Sequence, residues 1–441
     1  MRAVAQIDDP TPTDLCIEDQ EDALLEGDRT FTPGTAASAL RHRTFRLIYF
    51  GAFTSNIGTW MQNVVLGALA YELSDHSAAY VGLIMFAQLG PLLLLSMIGG
   101  MLADTVDRKK LLIILTLEQA LGSIVLAFVV LHEASTSLLA LFLVTLAIGI
   151  GNALYAPTFS AILPILVPRE DMAGAISLNS AQMNGSRVIG PAIGSFLYAA
   201  YGASWVFVLN AVSYLAIIVV LFKVALPQPP PSRTQGLHRL LEGFTYARRD
   251  KVVARCLVII FTFSLLSLPF ITQLPTIAGD NLGISPRSAG YGLLYGAFGL
   301  GAVMGALSIG TVFARSSMAR LTRIGLLSFA AFLAVFSLLR HPPPAYPVIF
   351  GLGAVYFAVI TSLSTVLQQD LDDSVRGKVM ALWIMGFGGT VPIGGLLGGV
   401  ISEQLSITIV CLAGAVVAVG LAVYAQLDRH PLVDPHIATV D

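Results

Sequence analysis

Long apolar runs, each wide enough to cross a bilayer and each closed by a polar break, recur from Phe45 almost to the C-terminus. A membrane-spanning helix needs about 20 mostly apolar residues. The pattern predicts helices over 45–73, 80–103, 110–132, 137–163, 173–201, 204–226, 252–278, 288–313, 320–340, 345–368, 377–402 and 405–427. That makes twelve. Several connections are very short: Gly202–Ser204 joins the fifth run to the sixth, and Glu403 and Gln404 join the last two. Helices joined so tightly are antiparallel neighbours, which predicts an all-α, up-and-down membrane bundle.

The longest break divides the runs into six plus six. It opens with Pro227-Gln-Pro-Pro-Pro231, an extended spacer that cannot continue a helix. Leu237, Leu240, Leu241 and Phe244 then recur at helical spacing among Arg239, Arg248, Arg249 and Lys251. Such a pattern predicts a short amphipathic helix at the membrane surface. The expected organisation is a tail (1–43), a six-helix half (44–226), a linker (227–251), a second six-helix half (252–427) and a C-terminal tail (428–441). The halves echo each other. Pro168-Arg-Glu-Asp-Met-Ala-Gly174 opens a run containing Gly190-Pro191-Ala-Ile-Gly194, and Asp372-Asp-Ser-Val-Arg-Gly377 opens one containing Pro392-Ile-Gly-Gly395. Two repeated halves with a site between them are the plan of many secondary transporters.

Composition removes the soluble alternatives. Of 441 residues 55% are apolar and 12% charged, about half the charge of a soluble chain. The three cysteines, Cys16, Cys256 and Cys411, stand far apart, which argues against a disulfide framework or a zinc site. Of 25 Lys and Arg residues, Arg2 and Arg29 lie in the first tail, Arg187 inside a run, and only Arg287 and Arg340 in loops of one parity; 20 fall on the other side. The positive-inside rule then places both termini in the cytoplasm. The first 40 residues carry nine acids against two arginines and read as a disordered, solvated extension with no signal-peptide features.

The few polar groups left inside the runs are the candidate chemistry. Asn56, Thr59, Trp60, Asn63 and Gly67 are three or four residues apart and share a helical face. Amides facing lipid are costly, so this face is expected to look inward, either walling a cavity or bonding neighbouring helices. The fifth run carries Asn179, Met183, Arg187, Gly190 and Gly194 on one side. Arginine at mid-bilayer costs about 2.5–3.5 kcal/mol on insertion scales, so Arg187 is expected either to meet an anionic substrate group or carboxylate, or to bond helix carbonyls. Glu118, in the third run, and Glu72, at the outer end of the first, are the candidate proton carriers. No Gly-x-x-x-x-Gly-Lys-Ser/Thr loop occurs, which excludes ATP-driven pumping by this chain alone.

The break between the second and third runs reads Gly100-Met-Leu-Ala-Asp-Thr-Val-Asp-Arg-Lys-Lys110. It resembles the loop 2–3 signature of the major facilitator superfamily along its whole length. Gly100, Asp104, Asp107, Arg108 and Lys109 would then form a gating loop, with Gly100 permitting close helix approach and Asp104 latching to Arg108 or to helix amides. Phe45-Arg-Leu-Ile-Tyr-Phe-Gly51, Ser55-Asn-Ile-Gly-Thr-Trp-Met-Gln-Asn63, Tyr71-Glu-Leu73 and Val81-Gly82 resemble the transmembrane secretion effector branch, which includes siderophore and macrolide-efflux exporters. Gly190, Pro191 and Gly194 partly match the antiporter motif of span five, with Ser195 in its last place. Gly149-Ile-Gly-Asn-Ala153 lacks the arginine that precedes it in proton-coupled drug exporters. The resemblance implies a twelve-helix, proton-driven exporter of small amphipathic molecules in the cell membrane. A dedicated siderophore or natural-product exporter and a non-transporting membrane sensor are the alternatives. It is expected to act as a monomer, without cofactor, metal or nucleic acid, and not as an enzyme.

Overall fold

The computed structural model describes residues 32–131, 136–226, 236–369, 371 and 373–427. The acidic segment before Thr32, the proline-rich stretch 227–231, Asp372 and the tail after Leu427 lie outside the described residues. Each of the twelve predicted runs becomes a helical segment. They are α1 Arg43–Leu73; α2 Ala78–Leu89 continued by Pro91–Thr105; α3 Arg108–Val129; α4 Leu138–Ile162; α5 Met172–Tyr201; and α6 Ala203–Lys223. The second set is α7, starting at Lys251–Thr262 and running through two π turns to Asn281; α8 Ala289–Gly310; α9 Met318–Leu338; and α10 Pro342–Gln368. It ends with α11, Asp373–Ile384 and Thr390–Gln404 joined by a π turn, and α12 Ile407–Tyr424.

Among the described residues, ten helices are long and apolar enough to cross a membrane. The other two bundle helices, α1 and α5, have the length at 31 and 30 residues but hold the amides and the arginine noted above. Side-chain caps start many helices where the loops are short: Ser77, Asp107, Ser137, Asp250, Ser317 and Ser406 each accept a bond from a backbone N–H of the first turn. The tight α5–α6 turn uses Gly202 at φ +86°, a conformation that glycine adopts freely.

Within the first half, α1 packs on α5 and α6, and α3 packs on α4 and α6. A buried amide knot joins three of these helices. Gln62 Oε1 on α1 accepts from Ser123 Oγ of α3 (2.8 Å) and from Asn210 Nδ2 of α6 (2.9 Å). In the second half α10 packs on α8 and α9, and α9 on α12. The halves meet chiefly through two helix pairs, α2 with α11 and α5 with α8. In each pair the second helix of one half meets the fifth of the other, as a repeated half predicts.

The tight passages of those seams lie away from the basic end. Away from the Lys109–Lys110 end, a methyl group at Gly82 would lie 2.7 Å from the Gly395 carbonyl oxygen, and one at Gly292 would lie 2.6 Å from the Ser195 Cβ. At the basic end, no atom lies within 4 Å of where a Cβ would stand at Gly100, Gly310 or Gly377. Three hydrogen bonds between the halves likewise lie away from the basic end.

The linker helix spans Gly236–Arg249 and docks on the start of α11. Glu242 pairs with Lys378 at 2.5 Å, and Gly243 passes close to the Lys378 backbone. The side chains of residues 236–241 lie outside the description, while Phe244 is exposed with the Arg248 guanidinium 5.6 Å from its ring centre.

Candidate functional site

The site begins with the seat that α5 offers α1. A methyl group at Gly190 would lie 2.5 Å from the Trp60 Cβ, and one at Gly194 would lie 2.8 Å from the Met61 Cα. Bare backbone at these two positions brings the helices together and holds Trp60 beside Arg187. Pro191 and Ser195 belong to the other face of the motif, against Gly292 of α8. The Gly-Pro-x-x-Gly stretch thus serves two seams: one inside the first half, one between the halves.

Arg187 lies halfway along α5. Its guanidinium stands 5.2 Å from the centre of the Trp60 ring and 5.9 Å from that of Phe357, on α10 of the other half. Phe357 abuts Tyr356, which stacks in turn on Phe298 and Phe387, so the second half presents an aromatic wall. One turn nearer the basic end, Asn56 Nδ2 donates to Gln182 Oε1 at 3.3 Å, and Gln182 Nε2 donates to Asn179 Oδ1 at 3.0 Å. Asn56, Trp60, Asn179, Arg187 and Phe357 are all half-buried. They gather where α1, α5 and α10 meet.

The shared polar face of α1 divides on inspection. Asn56 and Trp60 face α5, whereas Thr59 bonds the Tyr214 hydroxyl of α6 at 3.1 Å. Asn63 Oδ1 accepts from Gln88 of α2, and Gly67 lies against Met85 and Pro275. Asn63 therefore serves helix packing here, by accepting from a buried glutamine whose own Oε1 has no partner among the described residues.

The loop after α2 ties the first half to itself. Arg108 pairs with Asp104 at 3.2 Å and donates to the carbonyls of Ala103 (2.8 Å) and Ala161 (2.9 Å), the latter on α4. Lys109 Nζ donates to the Val224 carbonyl at the end of α6, at 2.7 Å. Asp107 caps α3 by accepting from the Lys110 N–H at 3.0 Å. The expectation for Gly100 needs correcting. Nothing approaches it, and the close passage belongs to Gly99, where a methyl group would lie 2.7 Å from the Pro157 side chain.

Glu118 stands near the middle of α3, deeper than one or two turns from its start. Its Oε2 is buried with no hydrogen-bond partner and lies against the bare backbone of Gly151 on α4, in the Gly-Ile-Gly-Asn-Ala stretch. Glu72 is at the far end of α1, where its carboxylate accepts from the Tyr198 hydroxyl at 2.6 Å.

Sequence reading missed a second set of groups, at the end opposite the basic loops. Tyr71 OH donates to Asp280 Oδ1 at 2.5 Å. Glu403 accepts from the Ser77 hydroxyl and from the Ala79 N–H, and Gln273 Nε2 donates to the Ala78 carbonyl at 2.9 Å. All of these bonds cross from one half to the other. The one signal available was an acid at each of two apolar-run ends, which ordinary loop solvation explains equally well.

Comparison with known proteins agrees with this architecture. The family described as transmembrane secretion effector matches residues 34–434. An enterobactin exporter of Escherichia coli O1:K1 is 29% identical over 357 residues, covering 78% of this chain and 81% of that protein. That of Escherichia coli O139:H28 is 28% identical over 359 residues, with the same coverage. Among solved structures, a nucleoside transporter superposes with a TM-score of 0.69 at 14% identity, covering 88% of this chain and all of that one. A bacterial homologue of the lysosomal transporter Spinster, in an inward-facing and unoccupied conformation, superposes with a TM-score of 0.63 at 14% identity, covering 87% and 95%.

Proposed function

Since the chain belongs to the transmembrane secretion effector family of major-facilitator-type membrane transporters, we propose that it is a secondary active exporter of small amphipathic molecules working by alternating access. One observation carries this reading: two six-helix halves are bonded to each other at the end away from the basic loops, with amides, an arginine and aromatic rings gathered where the halves meet. The positive-inside rule assigns the basic end, and with it both termini, to the cytoplasm. The end opposite those bonds then faces the compartment from which an exporter loads. Rocking of the halves about the α2–α11 and α5–α8 seams would carry the site to the other side.

The proton gradient is the proposed driving force. Glu118 is favoured over Glu72 as the carrier, because its buried Oε2 has no hydrogen-bond partner among the described residues while the Glu72 carboxylate is held by the Tyr198 hydroxyl. Of the two cargo classes, a dedicated siderophore or natural-product exporter gains on general drug efflux from the curated relatives, which are enterobactin exporters. The test is transport into everted vesicles carrying a pH-sensitive dye, offering a catecholate siderophore and a lipophilic cationic drug in turn. Substrate-dependent proton efflux supports antiport. A vesicle that accumulates neither compound rejects the exporter reading.

A further inference from the structure

Arg187 is a cation without an anion. All its contacts among the described residues are accounted for: no carboxylate pairs with it, no backbone carbonyl accepts from it, and its Nε is buried with no partner. The structural alternative, an arginine bonded to helix carbonyls, is therefore absent. Its neighbours are two ring faces and the Tyr356 phenol. Ring faces offset only part of the cost of holding a guanidinium away from bulk water, so the site carries an unneutralised positive charge. That charge lies halfway along α5, with one ring from each half of the molecule.

We propose that Arg187 docks the anionic group of an aromatic cargo, a carboxylate or phenolate borne on a ring, with the ring received between Trp60 and Phe357. This deepens the exporter reading and rests on it. A guanidinium presents a planar fork of donors that suits a carboxylate or a pair of adjacent phenolic oxygens. The Asn56–Gln182 amide pair, one turn away, meets polar substituents on the same molecule. Since Phe357 belongs to the second half, an anion that draws the guanidinium toward itself also replaces a contact between the halves.

The test uses the purified full chain in detergent and three probes followed by titration calorimetry: 1-hydroxy-2-naphthoate, its neutral amide, and octanoate as an anion without a ring. The naphthoate is expected to bind about ten-fold or more tightly than either of the others. Arg187→Gln is expected to lose that preference while Arg187→Lys keeps part of it, and Phe357→Leu is expected to weaken the naphthoate more than octanoate. Folding of each variant is followed by size-exclusion elution. If Arg187→Gln does not fold, the three probes on the wild type decide alone. Equal binding of naphthoate and amide, naphthoate binding by Arg187→Gln within two-fold of wild type, or no naphthoate binding at millimolar concentration overturns the proposal. Transport of a neutral dye by everted vesicles despite such a failure would leave the exporter reading standing. Naphthoate binding without any transport would do the reverse.

Discussion

Glu118 and Gly151 show how one residue type can exist to make room for another. A methyl group at Gly151 would overlap the Glu118 carboxyl, so the glycine of α4 is what lets an acid occupy mid-membrane depth on α3. A buried oxygen with no partner costs about 1–3 kcal/mol, which a protein keeping it for structure alone would have no reason to retain. Glu118→Leu is therefore expected to raise thermal stability by about 1–2 kcal/mol while abolishing substrate-driven proton efflux from everted vesicles. A Leu variant that transports and couples normally would remove Glu118 from the mechanism. Asp171 gives a second prediction, outside the membrane. It accepts the Gly34 N–H at 3.0 Å and pairs with His42 at 2.8 Å, anchoring the segment before α1 to the start of α5. The His42 bond, then those from Ser38 and Gly34, hold its carboxyl well down, at about 2. A carboxyl depressed on folding stabilises above its ordinary pKa and loses that contribution as pH falls through the folded value. Asp171→Asn should thus melt lower than wild type at pH 7, by about 1–2 kcal/mol, with the gap narrowing as pH falls from about 4 toward 2.

At the scale of the helix, the Gly190 seat is the position where a small change travels furthest. Gly190→Val would force Trp60 and α1 away from α5, an overpacking cost of about 1–3 kcal/mol, and would part the Trp60 ring from Arg187. A lower melting temperature together with lost naphthoate binding is expected; unchanged binding would show that the rings are not held by this seam. Each apolar run was legible as a helical segment, ten of them long and apolar enough to span among the described residues, because a run of 20 apolar residues bounded by loops has few other solutions. The π turns of α7 and α11 were not, since one extra residue in a turn leaves composition and periodicity almost unchanged. Nor were partners: Asn56, Thr59 and Asn63 share a face by spacing, yet bond to α5, α6 and α2. A helix enclosed by its own half has neighbours on every side. Arg187 was legible as an oddity; Phe357 and Gln182 were not, because an aromatic or an amide in an apolar run looks alike in core and cavity. The loop glycine that packs is Gly99 rather than Gly100, a one-residue difference that rotates the position by a quarter turn.

At the scale of the whole molecule, the bonds that join the halves opposite the basic end must break before that end can part. Tyr71–Asp280, Ser77–Glu403 and the Ala79 N–H to Glu403 all have a carboxylate as acceptor, and hydrogen bonds to ionised groups are worth about 1.5–3 kcal/mol when shielded. Both acids are exposed here, which lowers each contribution to roughly 0.5–1 kcal/mol. Removing both negative charges should therefore shift the balance between closed and open forms by about 2 kcal/mol, a factor near thirty. That is too little to invert a strongly biased equilibrium, which takes about 5.5 kcal/mol from 1:99 to 99:1, but enough to be seen. Asn63, behind this closure, provides the reporter. With Asn63→Cys as the added thiol, intact cells treated with a membrane-impermeant maleimide should label it weakly in the parent chain. Labelling should rise several-fold once Asp280→Asn and Glu403→Gln are combined. Equal labelling in both would mean that the apolar seams of α2 with α11 and α5 with α8 hold the closure by themselves, and that the acids only decorate it.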